Sequence, residues 1–572
     1  MEDHIALPLA MVGLFAAYEL YSNYLYFSPY GMVEVLCIAL LSIIALFRPL
    51  RGRKVELAIS AVLVIPAAII LYFVSLGTLL LFQLVSASVA VTLIYLSSRF
   101  LLRHRKLTGP QSAVAMLALS VVIGIVAYAV LFSVDHVINT SDEVAYNYYA
   151  GNLLLSGVNP YTSSMAPIMS YLDMQPTIML NGSYEYSYDY PPLSFVSALP
   201  ISALAPRDQT TFWFEFVMYG TAVCVFSAFL LYYRSGFNGM LLVPIALWLF
   251  FIGETAYHVS QYIAVSVLLL LAYMMRDRPL RSGALMGAAA CTTQLAWPVI
   301  PFFLIMSLRP HGLRHALMQF AACAAVFAAV YAVFATSSPI LPMGNMLSVF
   351  GVGGFLPSGL DIGEFSIAFL PMPQWYFTLV PVAAYAISLA LFYSDARRFR
   401  MLLPIAPFLP YFLSFRDQMY YFLPFVPLIL AVYYWDEGPV QRGMNKMSKV
   451  VLAAIPLMAL LAVALGIWLH GAYVSHRMLS VKILSDVNTP AGFEVTAAIM
   501  NNYSTNQTIS LMVITDDPAA EKDFGGPSAF RIPPGVTFNA RMTLGIQPYA
   551  VSGNTHVIVV ALAPDYIASN MI

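Results

Sequence analysis

The chain has 572 residues, of which 60% are hydrophobic and only 10% are charged, and its mean hydropathy is +0.78. This composition excludes an ordinary water-soluble domain, and with a formal net charge of −1 we expect no nucleic acid partner. Apolar runs of roughly membrane-spanning length recur from residue 5 to residue 469, which a single signal peptide does not explain. The composition predicts a polytopic membrane protein.

The N-terminal residues 1–110 are predicted to form an extension of four transmembrane helices. A fifth helix, at about 112–134, then delivers the chain to an outer loop, 135–208, that is too long to be a simple connector. A sixth helix, at 211–233, returns through the membrane. We assign residues 111–470 to a separate transmembrane module that begins with these elements.

The next apolar segments of this module are unusually short. "YIAVSVLLLLAYMM", "GALMGAAACTT" and "WPVIPFFLIM" each have about 11 to 14 residues, below the roughly 20 that a lipid-facing helix needs. Short or proline-broken spans are tolerated where they border protein or a water-filled cavity, so this region predicts a cavity that opens outward. Further spans are expected at 315–336, 376–394, 401–413, 420–434 and 450–469, with a second outer loop at 337–375. In total we expect an all-α bundle of about 13 to 15 spanning or half-spanning helices.

Residues 471–572 differ in composition from the rest of the chain. They contain β-rich runs with alternating apolar residues, separated by turn signals such as "VNTPAG" and "VSGN". Five to seven such strands predict a small β-sandwich of immunoglobulin-like kind outside the membrane.

Positive charge marks one side of the membrane. Nearly all Lys and Arg residues before residue 470 fall into seven clusters, at 48–54, 99–106, Arg234, 276–281, Arg309 with Arg314, 395–400 and 441–449. The positive-inside rule makes these clusters cytoplasmic, with a cytoplasmic N-terminus and an extracytoplasmic C-terminal domain in a cell membrane. Asn-x-Ser/Thr sequons agree, because all four lie on the predicted outer side, at Asn139, Asn181, Asn502 and Asn506.

The cysteines predict neither a metal site nor a disulfide framework. All four lie in apolar stretches without ligand spacing, at Cys37, Cys224, Cys291 and Cys323. We expect them to be small buried side chains, and we expect no metal and no cofactor.

The outer loop begins with an acid pair, in "TSDEVAYNYYAGNLLLSGVNPYT" (140–162). Asp142 and Glu143 are compatible with the first turn of a short helix, whose dipole favours acidic residues. They are equally compatible with a role as solvated charges at the membrane–water interface. Alternatively, Asp142 is a general base that faces the outward cavity. Position alone does not decide between these readings.

The order of several motifs resembles that of the GT-C glycosyltransferases, and most closely the polyprenol-phosphate-mannose-dependent mannosyltransferases. The acid pair is followed by Tyr146 and Tyr149, by a turn at 157–161 and by "YDYPPL" before the next helix. The resemblance covers residues 135–310 well and 400–434 loosely. It implies a GT-C-like helical bundle that moves a sugar from a polyprenyl or dolichyl phosphate.

The resemblance also implies site residues. Asp142, with Glu143, is expected to be catalytic, and Tyr146, Tyr149, Tyr161 and Tyr190 are expected to contact substrate. Apart from the resemblance, substrate contacts are also expected from Gln294 in the broken-helix turn and from His258 and Gln261, which lie beside the predicted cavity. Relatives often have a lysine where this chain has Gln294, so a donor-phosphate contact must come from elsewhere. Arg416 in "SFRDQMYYFLPFVP" is the candidate, since a guanidinium binds phosphate in a bidentate manner. Its alternative role is an interfacial arginine paired with Asp417.

Other roles for these residues stay open. The tyrosines suit a membrane interface as well as a substrate groove, and His258 and Gln261 suit a polar cavity wall as well as a substrate contact. Glu254 and Glu364 are reserve candidates for the base.

The expected reaction is transfer of mannose or another hexose, with inversion, to a lipid, glycan or protein acceptor on the outer face. The lipid-linked sugar and the membrane lipids are the expected partners. A multi-pass transporter or flippase-like protein is the alternative, which should show two related halves with interrupted helices. A scaffold with an outer sandwich is a third reading, in which the acids at 142 and 143 are dispensable.

Overall fold

The computed structural model describes residues 111–122, 142–204, 209–249, 262–335, 340–348, 373–408, 421–435, 446–515, 528–544 and 557–571, with short gaps inside several ranges. The predicted four-helix extension, His258, Gln261, Arg416, Glu254 and Glu364 lie outside the described residues.

The described part of the chain is mostly helical before residue 477. Its α-helices are α1 (Asp142–Leu155), α2 (Ala166–Leu172), α3 (Pro192–Val196), α4 (Leu199–Leu204), α5 (Gln209–Arg234), α6 (Tyr262–Met274), α7 (Pro279–Thr292), α8 (Ile300–His311), α9 (Leu313–Phe334), α10 (Leu341–Ser348), α11 (Tyr376–Ser394), α12 (Leu402–Ile405), α13 (Val426–Trp435) and α14 (Lys446–His476). Short 3-10 helices lie at Pro160–Thr162, Gln294–Val299, Ala406–Phe408 and Leu423–Phe425.

Three helices of the described residues are long and apolar enough to cross a membrane, namely α9, α11 and residues Lys446–Ala472 of α14. Most of α14 is exposed, and its outward side chains are large and apolar, including Leu460, Ile467 and Trp468. Such a surface is stable in lipid and costly in water. The three helices are compatible with the predicted polytopic membrane protein, which stays a prediction together with the total of 13 to 15 spans.

The broken helix after "GALMGAAACTT" has a definite geometry. The α7 helix ends at Thr292, and Thr293 is extended, with φ −155° and ψ 148°. The Thr293 hydroxyl accepts a hydrogen bond from the Leu295 amide and caps the 3-10 helix that follows. Pro298 stands inside this 3-10 helix, and α8 then begins at Ile300. Together these residues prevent α7 and α8 from forming one continuous helix.

Two glycines let α7 approach α9 closely. A Cβ added at Gly287 would lie 2.5 Å from the main-chain oxygen of Cys323, and one at Gly283 would meet the main-chain oxygen of Gln319 more closely still. Buried polar groups also join these helices, because the Gln319 side chain donates to the Ser282 hydroxyl at 2.8 Å. Small residues and interhelical hydrogen bonds are the usual means of helix contact inside membranes.

The basic clusters that the structure describes gather at one end of the helical bundle. Contacts between neighbouring helix ends show this, because the ring of Tyr273, over which the Arg276 guanidinium stands, stacks on Trp435, and Arg309 stands over the ring of Tyr393. Further contacts at this end link His311 with Asp277, Arg400 with Tyr433, Trp435 with Ser235 and Ser394 with Ser448.

The segment after Asp142 packs at the opposite end of α9. The Asn159 side chain donates to the main-chain oxygen of Phe334, the last residue of α9, at 2.8 Å. Phe334 also joins a hydrophobic cluster with Tyr161, Tyr188 and Phe195. The 22 residues of α9 span about 33 Å, close to the thickness of the hydrocarbon core of a bilayer.

Seven strands follow α14, namely β1 (Leu479–Thr489), β2 (Gly492–Asn501), β3 (Gln507–Thr515), β4 (Ser528–Ile532), β5 (Thr537–Leu544), β6 (Val557–Ala563) and β7 (Tyr566–Met571). They form two antiparallel sheets, with strand orders β1-β2-β5 and β4-β3-β6-β7. Alternate side chains of both sheets share one hydrophobic core that includes Val495, Ile499, Ile509 and Val559. The predicted two-sheet β region is present, but α14 continues to His476, past the expected boundary at residue 471.

Candidate active site

Asp142 begins α1, and its carboxylate is held by three hydrogen bonds. One oxygen, Oδ1, accepts from the Glu143 amide at 2.9 Å. The other, Oδ2, accepts from the amide and the hydroxyl of Thr177, at 3.1 and 2.8 Å. A carboxylate offers about four acceptor positions, so one position on Oδ1 remains for a proton donor. The carboxylate is thus fixed in orientation and only partly buried.

Two further carboxylates lie near Asp142 and are buried more deeply. Glu143 is 2% exposed, and Asp189 of the "YDYPPL" segment is 6% exposed. Burial raises the pKa of the Tyr190 phenol well above its usual value, and Glu143, Asp189 and Asp142 raise it further. All three carboxylates therefore lie close enough to act on one tyrosine. We call Asp142, Glu143 and Asp189 the acid cluster.

The loop that contains Asp189 is attached to α1 through tyrosine hydroxyls. Tyr146 donates to the main-chain oxygen of Glu185, and Tyr161 donates to that of Tyr190 at 2.6 Å. Both rings are buried, at 4% and 3% exposed. These two tyrosines hold the loop in place, whereas their predicted contact with substrate stays a prediction, as does that of the partly exposed Tyr149.

A buried hydrogen-bond chain adds a second attachment. The Tyr188 hydroxyl donates to the side-chain oxygen of Asn147 at 2.6 Å, and the Asn147 side-chain nitrogen donates to the main-chain oxygen of Glu143 at 2.8 Å. Burial raises the pKa of Tyr188 well above its usual value, so this phenol stays a proton donor. The chain fixes the main chain of the acid cluster from the side of α1.

Gln294 reaches the same loop from the break between α7 and α8. Its side-chain nitrogen donates to the main-chain oxygen of Asp189 at 2.6 Å and is 3.4 Å from that of Met346. The side chain of Asn345 donates to the main-chain oxygen of Tyr188 at 3.2 Å. Gln294 is therefore attached to the loop of Asp189 through main-chain contacts, whereas its predicted contact with substrate, like that of Tyr190, stays a prediction.

Tyr421, five residues after Arg416, acts on the same tyrosine as the acid cluster. Tyr421 is among the groups that raise the pKa of Tyr190. Arg416 itself, like His258 and Gln261, lies outside the described residues, so its contact with phosphate stays a prediction.

Sequence reasoning missed three members of this site, namely Asp189, Thr177 and Asn147. Asp189 carried a usable signal, since it is an acid between two tyrosines directly before a Pro-Pro pair. No local sequence pattern marks Thr177 or Asn147, because their roles depend on contacts with residues far away in the chain. Within the described part of the chain, no three His, Cys, Asp or Glu side chains are arranged to hold a metal ion.

Comparisons of the chain with protein-family models, curated proteins and solved structures give no match.

Proposed function

We propose that this protein is a membrane glycosyltransferase that moves a hexose from a polyprenyl or dolichyl phosphate to a lipid, glycan or protein acceptor. The observation that supports this most directly is Asp142, a carboxylate with fixed orientation and one remaining acceptor position. It lies beside two buried carboxylates at the end of α9 opposite the basic clusters.

The orientation in the membrane follows from the same arrangement. We place the basic end of the bundle in the cytoplasm, because positive charge is enriched on that side of membrane proteins. The acid cluster and the β-sandwich, which we regard as immunoglobulin-like, then face the outside. A lipid-linked donor in the outer leaflet reaches such a site from the bilayer.

The chemistry requires a base and a group that stabilises a phosphate. The acceptor hydroxyl oxygen forms a bond to the anomeric carbon, the bond from that carbon to the phosphate oxygen breaks, and the hydroxyl proton passes to Asp142. Negative charge grows on the leaving phosphate, and Arg416 is proposed to stabilise it. Direct displacement by one acceptor oxygen inverts the anomeric carbon.

Glu143 and Asp189 have a different proposed role. They lie deeper than Asp142, so they suit stabilisation of the positive charge that develops on the sugar ring. Burial and the three carboxylates raise the pKa of Tyr190, so its phenol stays neutral and offers a hydrogen bond to a sugar hydroxyl.

The test is a transfer assay with purified full-length protein and radiolabelled polyprenyl-phosphate sugars, using membrane lipids and glycans as acceptors. Removal of a general base lowers turnover by roughly 10²- to 10⁴-fold, which is the expectation for Asp142→Asn. Asp277→Asn is the matched control, because Asp277 is exposed at the basic end of the bundle. Equal transfer by Asp142→Asn and the control would remove Asp142 as the base. Absence of product with every donor would overturn the proposed function and favour transport.

A further inference from the structure

The turn between β2 and β3 carries two sequons within seven residues. Asn502, Tyr503 and Ser504 form the first, and Asn506, Gln507 and Thr508 form the second. Asn502 and Asn506 are both exposed in the turn, residues 502–506, which we call the sequon turn. The first sequon lies wholly outside the strand ladder, and the second enters β3 at Gln507.

The shape of the sequon turn is set by a neighbouring residue. Asn501 is fully buried, and its side-chain oxygen accepts from the Tyr503 amide at 2.9 Å. Its side-chain nitrogen donates to the main-chain oxygens of Thr505 and Ile532, at 3.1 and 2.7 Å. Because the side chain of Asn501 makes the hydrogen bonds that fix the turn, a group attached to Asn502 or Asn506 can extend into solvent without breaking them.

The sequon turn lies next to the end of α14. The Asn502 amide donates to the main-chain oxygen of Met478, two residues after α14 ends. The 31 residues of α14 span about 46 Å, which covers a hydrocarbon core and both headgroup layers, about 40–45 Å together. With α14 as a membrane-spanning helix, the chain that leaves it at Met478 emerges into water, where an enzyme can reach the turn.

We propose that the sequon turn is an attachment site for N-linked glycans at Asn502 and Asn506. The glycan donor is a lipid-phosphate-linked saccharide, and a separate membrane transferase carries out the step. The side-chain amide nitrogen forms a bond to the anomeric carbon, the bond from that carbon to the phosphate oxygen breaks, and the phosphate takes up one amide proton. This proposal rests on the outward orientation proposed above for the β-sandwich, and it does not rest on sugar transfer at Asp142.

The test uses full-length protein isolated from its native membranes, with mass analysis of the peptide that covers residues 493–515. We expect a glycan mass on this peptide and its loss in the Asn502→Gln, Asn506→Gln double variant. Ser504→Ala and Thr508→Ala together should also abolish it, because they remove the sequon hydroxyls and keep both asparagines. Asn539→Gln is the control, since Asn539 is exposed on β5 of the same sandwich and belongs to no sequon.

A second measurement separates the possible failures. Cysteine introduced by Asn539→Cys, in a chain that also carries Cys37→Ser, is labelled on intact cells with a membrane-impermeant maleimide. The Cys37→Ser chain alone gives the background, to which Cys224, Cys291 and Cys323 should contribute little because they are buried. Labelling from outside together with an unmodified peptide would overturn the glycan site and leave the orientation intact. Labelling only after permeabilisation would overturn both the glycan site and the proposed outward orientation of the β-sandwich. Neither result alters the Asp142→Asn comparison, which tests the proposed function by itself.

Discussion

The side-chain amide of Gln294 donates a hydrogen bond of 2.6 Å to the main-chain oxygen of Asp189, 105 residues earlier in the chain. Gln294 stands in the break between α7 and α8, and Asp189 belongs to the acid cluster in the outer loop. This bond therefore joins the helical bundle to the candidate active site.

Loss of this bond should loosen the site. Gln294→Leu leaves the buried carbonyl of Asp189 without that donor, and an unsatisfied buried polar group costs about 1–3 kcal/mol. We expect a lower free energy of unfolding for this region and a lower transfer rate. Protease protection of the outer loop and thermal unfolding in detergent measure the effect. Gln507→Leu is the control, because the Gln507 side chain donates to the hydroxyl of the exposed Thr505 in a turn of the β-sandwich. A similar loss there would contradict the assignment.

Thr177 should act as a positioning residue for Asp142. Thr177→Val removes the 2.8 Å hydroxyl bond to Oδ2 and keeps the amide bond. A bond worth about 1–1.5 kcal/mol corresponds to a loss of roughly five- to tenfold in kcat, with KM little changed. Thr177→Ser keeps a hydroxyl and should restore most of the rate. A change in KM alone, or no rescue by serine, would argue against this role.

Close packing of α7 on α9 should make Gly287 intolerant of substitution. In Gly287→Ala the added methyl meets the main-chain oxygen of Cys323 at 2.5 Å, so the helices must move apart. Overpacking of this kind costs typically about 1–3 kcal/mol, which unfolding in detergent or bicelles would detect.

A glycine in an open helical position provides the control. Gly344 lies inside α10 with no atom within 4 Å of an added Cβ. Gly344→Ala should stabilise the protein by roughly 0.5–1 kcal/mol, because alanine favours the helix. Equal effects at the two positions would show that helix propensity, and not the contact with α9, governs Gly287.

Alkaline pH should destabilise the outer loop. Burial raises the pKa of Tyr161 and Tyr188 above the value of 10.0 that applies to an unfolded chain. The folded state therefore holds these protons more tightly, so their contribution to stability is complete below pH 10 and declines above it. Unfolding free energy measured from pH 8 to pH 11.5 should be flat and then fall.

Tyr188→Phe tests the source of this slope. The variant removes one titrating group, so the slope above pH 10 should become shallower by up to about 1.4 kcal/mol per pH unit. It should also lower stability at neutral pH by about 1 kcal/mol, because the 2.6 Å bond to Asn147 is lost. An unchanged slope would show that Tyr188 ionises equally in both states.

Local patterns in the sequence were sufficient for much of the helical framework. The expected span at 376–394 agrees with α11, and the expected helix at 211–233 lies within α5. The break before Gln294 was also visible, because Pro298 and Pro301 interrupt a short apolar run. The end of α14 was misplaced by several residues, since "GAYVSH" carries no strong stop signal.

By itself, the sequence determined the positions of three long apolar helices, the β-rich character of the last hundred residues and the acid pair at the start of α1. These features follow from hydrophobicity and charge within short stretches, where neighbours along the chain are enough. Only the tertiary structure decided that Asp189, Thr177, Tyr188 and Gln294 converge on that pair. The physical reason is that hydrogen bonds such as Thr177 to Asp142 or Gln294 to Asp189 join residues 35 to 105 positions apart, so their geometry depends on how the outer loop folds against the bundle.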